Sequence, residues 1–198
     1  GVEERLTTGD RDQALGSVSP DGRTLIYSQV SATESTDLWI LPLTGQREPR
    51  QLLTTPFADQ DPAISPDGKW VAYGSNISGK GFEIYLTPVS GGGRQFAVSH
   101  GGGYRPLWSR DSRELFYVVR DGDLAAAEIT VRGDTLEVGR IQRLFGGVQS
   151  VDGPQGYVYD VTHDGSKFIV AESVDRRGGA PPGITLVENW PGVLSTVP

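Results

Sequence analysis

The tetrapeptide Ser19-Pro20-Asp21-Gly22 returns as Ser65-Pro66-Asp67-Gly68, then in eroded form as Ser109-Arg110-Asp111-Ser112 and Thr162-His163-Asp164-Gly165. The four aspartates stand 46, 44 and 53 residues apart. A period of this size marks a repeat architecture, in which each unit buries its apolar surface only against a neighbour. A residue conspicuous in one copy therefore belongs first to the repeat and only second to any chemistry. The tetrapeptide has type I turn logic. Pro presets φ at the first central position, Asp hydrogen-bonds nearby backbone, and Gly closes the turn.

Each turn introduces a short apolar run: Leu25-Ile26-Tyr27, Val71-Ala72-Tyr73, Leu115-Phe116-Tyr117 and Phe168-Ile169-Val170. These runs do not alternate, which fits strands covered on both faces. Before each turn lies another short strand, at Gly16-Ser17-Val18, Ala63-Ile64, Leu107-Trp108 and Val158-Tyr159-Asp160. A third follows a loop of variable length, at 37–41, 83–86, 123–127 and 183–187. A fourth, edge-like strand is expected at 50–55, 94–98 and 140–145. Four antiparallel strands in about 45 residues make one blade of a β-propeller. The expected fold is all-β, a β-propeller of about four four-stranded antiparallel blades, with blades at 16–55, 62–98, 106–145 and 157–190.

Composition agrees. The 198 residues include 27 Gly and 13 Pro, which suits short strands joined by turns. No apolar stretch is long enough to span a membrane as a helix. Cys is absent, so disulfides, zinc–thiolate sites and Cys nucleophiles are excluded. The net charge of −7 disfavours a nucleic-acid partner. Met is also absent; because chains initiate on Met, Gly1 is expected to be a processed end or the edge of an excised piece.

The pattern Ser-Pro-Asp-Gly-(Arg/Lys)-x-(apolar)₃ with a following (Asp/Glu)-(Leu/Ile)-(Trp/Tyr) strand resembles the WD40-like PD40 repeat of TolB-type propellers. The match is fullest over Asp61–Tyr73. The same repeat builds the propellers of S9 peptidases and extracytoplasmic sensor domains of bacterial serine/threonine kinases. The segment Gly183-Ile184-Thr185-Leu186-Val187-Glu188-Asn189-Trp190 resembles the end of the kinase-linked type. The resemblance implies an extracytoplasmic or periplasmic location and a ring of more than four blades. It is specific for fold and weak for function, because propellers serve many roles.

The fourth unit has three strands and then stops, while Arg5-Leu6-Thr7-Thr8 reads like Gln51-Leu52-Leu53-Thr54-Thr55, the outer strand of a preceding blade. Residues 3–8 are thus a candidate for the missing outer strand. Three completions are open: a closed four-bladed monomer, two chains joined as one ring, or a piece of a longer propeller. A self-associating half or an excised piece is expected over the closed monomer, since open blade faces drive association.

Chemistry-bearing residues gather in loops expected at one mouth of the channel. The candidate ligand-binding set is Asp12, Asp59, Asp61, His100, Tyr104 and Arg105. Asp10, Arg11, Asp152, Gln155 and Tyr157 lie in the same class of loop. Aligning the blades places Asp61 and Arg105 at matching positions of neighbours; the plain reading is an inter-blade salt bridge and the functional one a polar ring around a pocket. His100 is either a proton-transfer or ligand residue or an exposed loop histidine, and His163 is a turn residue. Asp59 and Asp61 lack the Asp-x-Asp-x-Asp-Gly spacing of a calcium loop, so no metal and no cofactor is expected. Neither Gly-x-Ser-x-Gly nor Ser-x-x-Lys occurs, and the Gly91 and Gly101 runs lack the spacing of a phosphate loop. The expectation is a non-catalytic binding or sensing module for a protein or peptide, completed by self-association or further blades. The alternative is the gating propeller of an S9-type peptidase or another propeller hydrolase.

Overall fold

The computed structural model describes residues 3–8, 10–33, 35–133, 135–148, 158–162, 165–171 and 184–188. Among them there is no helix, and every strand pairing is antiparallel. Blade 1 holds β1 (Gln13–Val18), β2 (Thr24–Val30), β3 (Thr36–Pro42) and β4 (Arg50–Gln51). Blade 2 holds β5 (Asp59–Ile64), β6 (Trp70–Ser75), β7 (Glu83–Pro88) and β8 (Phe96–Ala97). Blade 3 holds β9 (Tyr104–Trp108), β10 (Glu114–Val118), β11 (Leu124–Arg132) and β12 (Thr135–Phe145). Blade 4 shows β13 (Tyr159–Val161), β14 (Lys167–Ala171) and β15 (Ile184–Glu188). The all-β architecture read from the repeat is the one observed, as a row of blades forming part of a propeller.

The repeated turns explain the regularity. In each copy the fourth residue's amide donates to the first residue's carbonyl: Gly22 to Ser19 at 2.8 Å, Gly68 to Ser65 at 2.8 Å, Ser112 to Ser109 at 3.0 Å and Gly165 to Thr162 at 2.8 Å. The first hydroxyl of each turn accepts from the amide five residues on, from Thr24 (2.9 Å), Trp70 (3.0 Å), Glu114 (2.8 Å) and Lys167 (3.1 Å). In the first three copies it also donates to the turn aspartate, whose Oδ1 accepts the amide two residues ahead. Ser112 adopts φ 61°, close to the 71° and 72° of Gly22 and Gly68. The eroded third copy therefore keeps the glycine backbone without the glycine.

Packing follows from register. Ile26 pairs with Ile40, Ala72 with Leu86, and Phe116 with Ala126, giving each blade a forward face toward its successor. Val71 and Tyr73 of blade 2 pack into one cluster with Ile26, Leu38 and Ile40 of blade 1. Leu115 and Tyr117 of blade 3 join Ala72, Ile84 and Leu86 of blade 2. Phe168 and Val170 of blade 4 join Phe116, Val118, Leu124 and Ala126 of blade 3, with the Phe116 and Phe168 rings edge to face at 5.0 Å. Burying an aliphatic or aromatic side chain this fully contributes about 1.5–3 kcal/mol, so the blade junctions carry the core. The middle strands of blades 1 to 3 are covered on both faces. In β14 of blade 4, Phe168 and Val170 are buried while Ile169 is 45% exposed.

Several boundaries differ from the sequence reading: β1 begins at Gln13, β11 runs on to Arg132 and β12 begins at Thr135. The innermost strands β5 and β9 begin earlier than the apolar pairs Ala63-Ile64 and Leu107-Trp108, because a bulge lets the chain keep pairing past a proline. The outer strands of blades 1 and 2 shrink to two ladder residues, after which Leu52, Leu53 and Val98 turn inward and are buried. Residues 3–8 form no strand. They are tied to blade 1 by Glu4–Arg47 (2.6 Å) and by Thr7 Oγ1 donating to Gln13 Oε1 (2.6 Å). Asp152, Gln155, Tyr157, His163, the 176–183 loop and Asn189-Trp190 lie outside the described residues.

Candidate functional site

The site is built at the end of the blades opposite the repeated turns, where β5 and β9 start. In β5 the register slips between Gln60 and Ala63, so Asp61 and Pro62 stand against Tyr73. In β9 it slips between the partners of Val118 and Phe116, so Arg105 and Pro106 stand against Tyr117. Both bulge residues are left-handed, Asp61 at φ 52° and Arg105 at φ 53°. A non-glycine residue there is strained and persists only when its surroundings dictate it. In β1 the same stretch carries Gly16. A Cβ there would lie 2.4 Å from Pro62 Cγ and 2.6 Å from Ile26 O, so the bulge of blade 2 fits against bare backbone.

The structure brings Asp61 and Arg105 together. The Arg105 backbone amide hydrogen-bonds the Asp61 carboxylate, and the guanidinium attracts it. Burial is the larger influence and raises the Asp61 carboxyl above its ordinary range against both favourable contacts. The Arg105 carbonyl accepts from Tyr159 Oη of β13 at 2.8 Å, so the bulge is held from both neighbouring innermost strands. The expected inter-blade link is thus a backbone-anchored carboxylate within an arginine's field.

Asp59 lies deeper, 1% exposed at the start of β5. Thr55 Oγ1 donates to its Oδ2 at 2.8 Å. Its Oδ1 and the buried Tyr73 hydroxyl have no hydrogen-bond partner among the described residues. Burial pushes the Asp59 carboxyl up, opposed by hydrogen bonds from Ser75 and Thr55, with the Asp37 charge pushing the same way as burial. Burial also raises the Tyr73 phenol, helped by the charges of Asp59 and Tyr85.

The remaining candidates lie toward the same end of the blades. Tyr104 is half-buried, its ring 6.0 Å from that of Phe82. His100 and Asp12 are exposed on loops at the same end, and the Asp12 carbonyl accepts from Val30 N at 3.0 Å. The His100 loop is carried by a residue absent from the candidate set. Buried Glu83 accepts from Ser99 Oγ, from Gly101 N at 2.8 Å and from Gly102 N at 3.0 Å, while Ser99 Oγ accepts from Ile84 N at 2.8 Å. The acidic residue opening each third strand was visible in the repeat as Asp37, Glu83 and Asp123; its partners were not. Blade 3 meets the same need differently, with Arg143 reaching Asp123 at 2.9 Å and Asp121 at 2.7 Å. Among the described residues no three His, Cys, Asp or Glu side chains gather as a metal site.

No family model matches the chain, and no curated protein matches it in sequence. Solved structures do match in fold. TolB from Acinetobacter baumannii superposes with a TM-score of 0.64 at 16% identity, over 93% of this chain and 43% of that one. The fold is that of a TolB-like β-propeller. The β-propeller domain of the Trilobed protease from Pyrococcus furiosus, described as having an open velcro topology, matches at 0.51 and 18% identity, over 90% of this chain and 55% of that one. A 6-phosphogluconolactonase candidate from Bacteroides uniformis matches at 0.54 and 14% identity, over 89% of this chain and 58% of that one. The chain thus spans about half the length of these propellers, and at such identities the likeness speaks to fold alone.

Proposed function

We propose that this TolB-like arc is a non-catalytic module that binds a protein or peptide at the mouth formed by Asp59, Asp61, Tyr104 and Arg105, with the His100 and Asp12 loops beside it. One observation carries the reading. Left-handed strain recurs at equivalent bulges of two successive innermost strands and holds an acid and a base side by side. Bulges re-aim side chains, and strain costing about 1–3 kcal/mol per residue is concentrated at ligand sites. Asp61 offers acceptors to backbone amides, and Arg105 offers a planar donor set suited to a carboxylate. An extracytoplasmic location is proposed with it, on the resemblance of the repeat to sensor and TolB-type propellers. Among the described residues no helix is long and apolar enough to cross a membrane.

The second reading, a propeller gating a peptidase, is favoured by the likeness to the protease propeller. One experiment separates them. A random-peptide display library is selected on the purified chain, and the affinity of enriched peptides is measured for wild type, Asp61→Asn and Arg105→Gln. The proposal expects both variants to weaken binding at least about tenfold, roughly 1.4 kcal/mol, while each still unfolds in a cooperative transition. Equal affinity of all three proteins contradicts it, as does turnover of ester, lactone or peptide substrates that Asp61→Asn abolishes.

A further inference from the structure

Arg120 lies in the turn between β10 and β11, two residues past Val118, whose strand partner is Tyr104. It therefore adjoins the mouth. Its side chain crosses from blade 3 to blade 2 and donates from Nη2 to the Lys80 carbonyl, in the loop between β6 and β7, at 2.9 Å. Two glycines make that path. A Cβ on Gly102 would lie 2.8 Å from Arg120 Cβ and 3.2 Å from its backbone nitrogen, and one on Gly81 would overlap Nη2. The arginine thus lies against the bare backbone of two loops. A guanidinium carries five N–H donors. Beyond the bond to Lys80, the Arg120 side chain has no hydrogen bond and no ion pair among the described residues, and the Lys80 ammonium has neither. Both residues are exposed. The nearby acids are already engaged. Glu83 accepts from Ser99, Gly101 and Gly102, while Asp121 and Asp123 share Arg143. Arg105 sits in the field of Asp61, so it is partly neutralised where Arg120 is not.

We infer that Arg120 and Lys80 form a carboxylate subsite beside the mouth, which takes an aspartate or glutamate side chain of the bound peptide. The inference rests on the peptide-binding reading and adds the character of the peptide. A guanidinium meets a carboxylate with two parallel N–H donors, and such a charge-assisted pair is roughly twice as strong as a neutral hydrogen bond. The seat on Gly81 and Gly102 positions the guanidinium before the ligand arrives, which lowers the ordering cost of binding. The net charge of −7 does not cancel the subsite, because exposed charges more than about 8 Å away are largely screened at physiological salt. A staple that only tied blade 3 to blade 2 would be indifferent to the charge of a peptide, and that difference is measurable.

The test is an NMR titration of the isotope-labelled full chain at physiological salt. The probes are acetyl-Gly-Glu-Glu-Gly-amide, the same peptide with Gln in place of both Glu, and inorganic phosphate. The glutamate peptide is expected to shift the Arg120 Nε–Hε signal, identified by its loss in Arg120→Gln, and the Gly81 and Gly102 amides, all saturably. The glutamine peptide is expected to bind at least about tenfold more weakly. Arg120→Gln should weaken the glutamate peptide by the same factor and leave the glutamine peptide unchanged, and Arg120→Lys should recover part of the loss. Cooperative unfolding confirms that both variants fold, and the comparison of the two peptides on the wild type depends on neither. Equal affinity for the two peptides, no shift of these signals, or phosphate moving them at lower concentration than the glutamate peptide overturns the inference. Display-selected peptides that need Arg105 and carry no acid would also overturn it, while leaving the mouth itself as a binding site.

Discussion

The two ends of each blade come from the same repeat and behave as opposites. At the turn end one hydrogen-bond pattern is drawn in every copy, down to Ser112 taking up a glycine's φ. At the mouth end the blades diverge. Glu83 is held by a hydroxyl and two glycine amides, Asp123 by an arginine, and Asp37 by Gln51 at 3.2 Å. The carboxyl groups differ with their surroundings. The Ser19 hydroxyl and Arg23 amide lower the Asp21 carboxyl, whereas burial raises those of Asp37, Asp59 and Asp61. Repetition marks what the scaffold needs, and divergence marks where the chain is free to acquire a site.

The largest effect that could break this contrast sits at Glu83. Replacing it with Ala strands three donors, two of them buried, and the expected loss is about 3 kcal/mol in urea unfolding, since donors left without a charged acceptor are costly. Glu83→Gln should restore part of it. A loss below about 1 kcal/mol would mean that the loop holds itself. The turn end should instead be uniform. Ser65→Ala removes the acceptor of the Trp70 amide and the donor to Asp67, and about 1.5 kcal/mol is expected. Ser19→Ala and Ser109→Ala, which break the same bonds, should cost similar amounts. Widely unequal costs would show that the repeat is alike in geometry and not in energy.

Acidity sharpens the comparison with smaller shifts of opposite sign. Asp59 and Asp61 have folded pKa values above the unfolded value of about 3.9. The native state therefore holds their protons more tightly. Their contribution to stability is greatest below that value and falls as pH rises through the folded pKa. Asp21 has a lowered pKa, so its contribution is present above about 3.9 and is lost as pH falls through its folded value. Urea midpoints from pH 3 to 7 are the check. Asp61→Asn should remove part of the wild type's fall in stability with rising pH, and Asp21→Asn should remove part of its loss on acidification. The smallest effect belongs to Ser112. Ser112→Gly relieves a left-handed residue worth about 1–2 kcal/mol, offset by loss of the 3.3 Å bond from Asp67 N to Ser112 Oγ. A net gain of about 0.5 kcal/mol in the same assay is expected.

The scaffold was legible in the sequence because it repeats. The turn recurs in four copies, and the doubly covered triplet and the opening acid in three, so local pattern alone makes them recognisable. The site was legible only as a pair of aligned positions. Asp61 and Arg105 were matched by counting from the turns, but the bulges that strain them arise from Pro62 and Pro106 meeting a ladder, which no local propensity announces. Glu83 was read as part of a strand pattern, and its role emerged only when Ser99 and the Gly101 and Gly102 amides closed around it. Asp59 was placed in a loop by its polarity and is instead among the most buried side chains at the mouth.

The central claim is that the mouth binds a ligand and the turn end does not. Hydrogen-exchange footprinting of the chain with a display-selected peptide tests it directly. The account expects slowed exchange at Gln60–Asp61 and across Ser99–Arg105, with Ser19–Gly22, Ser65–Gly68 and Ser109–Ser112 unchanged. Protection centred on those turns, with the mouth unaltered, would contradict it.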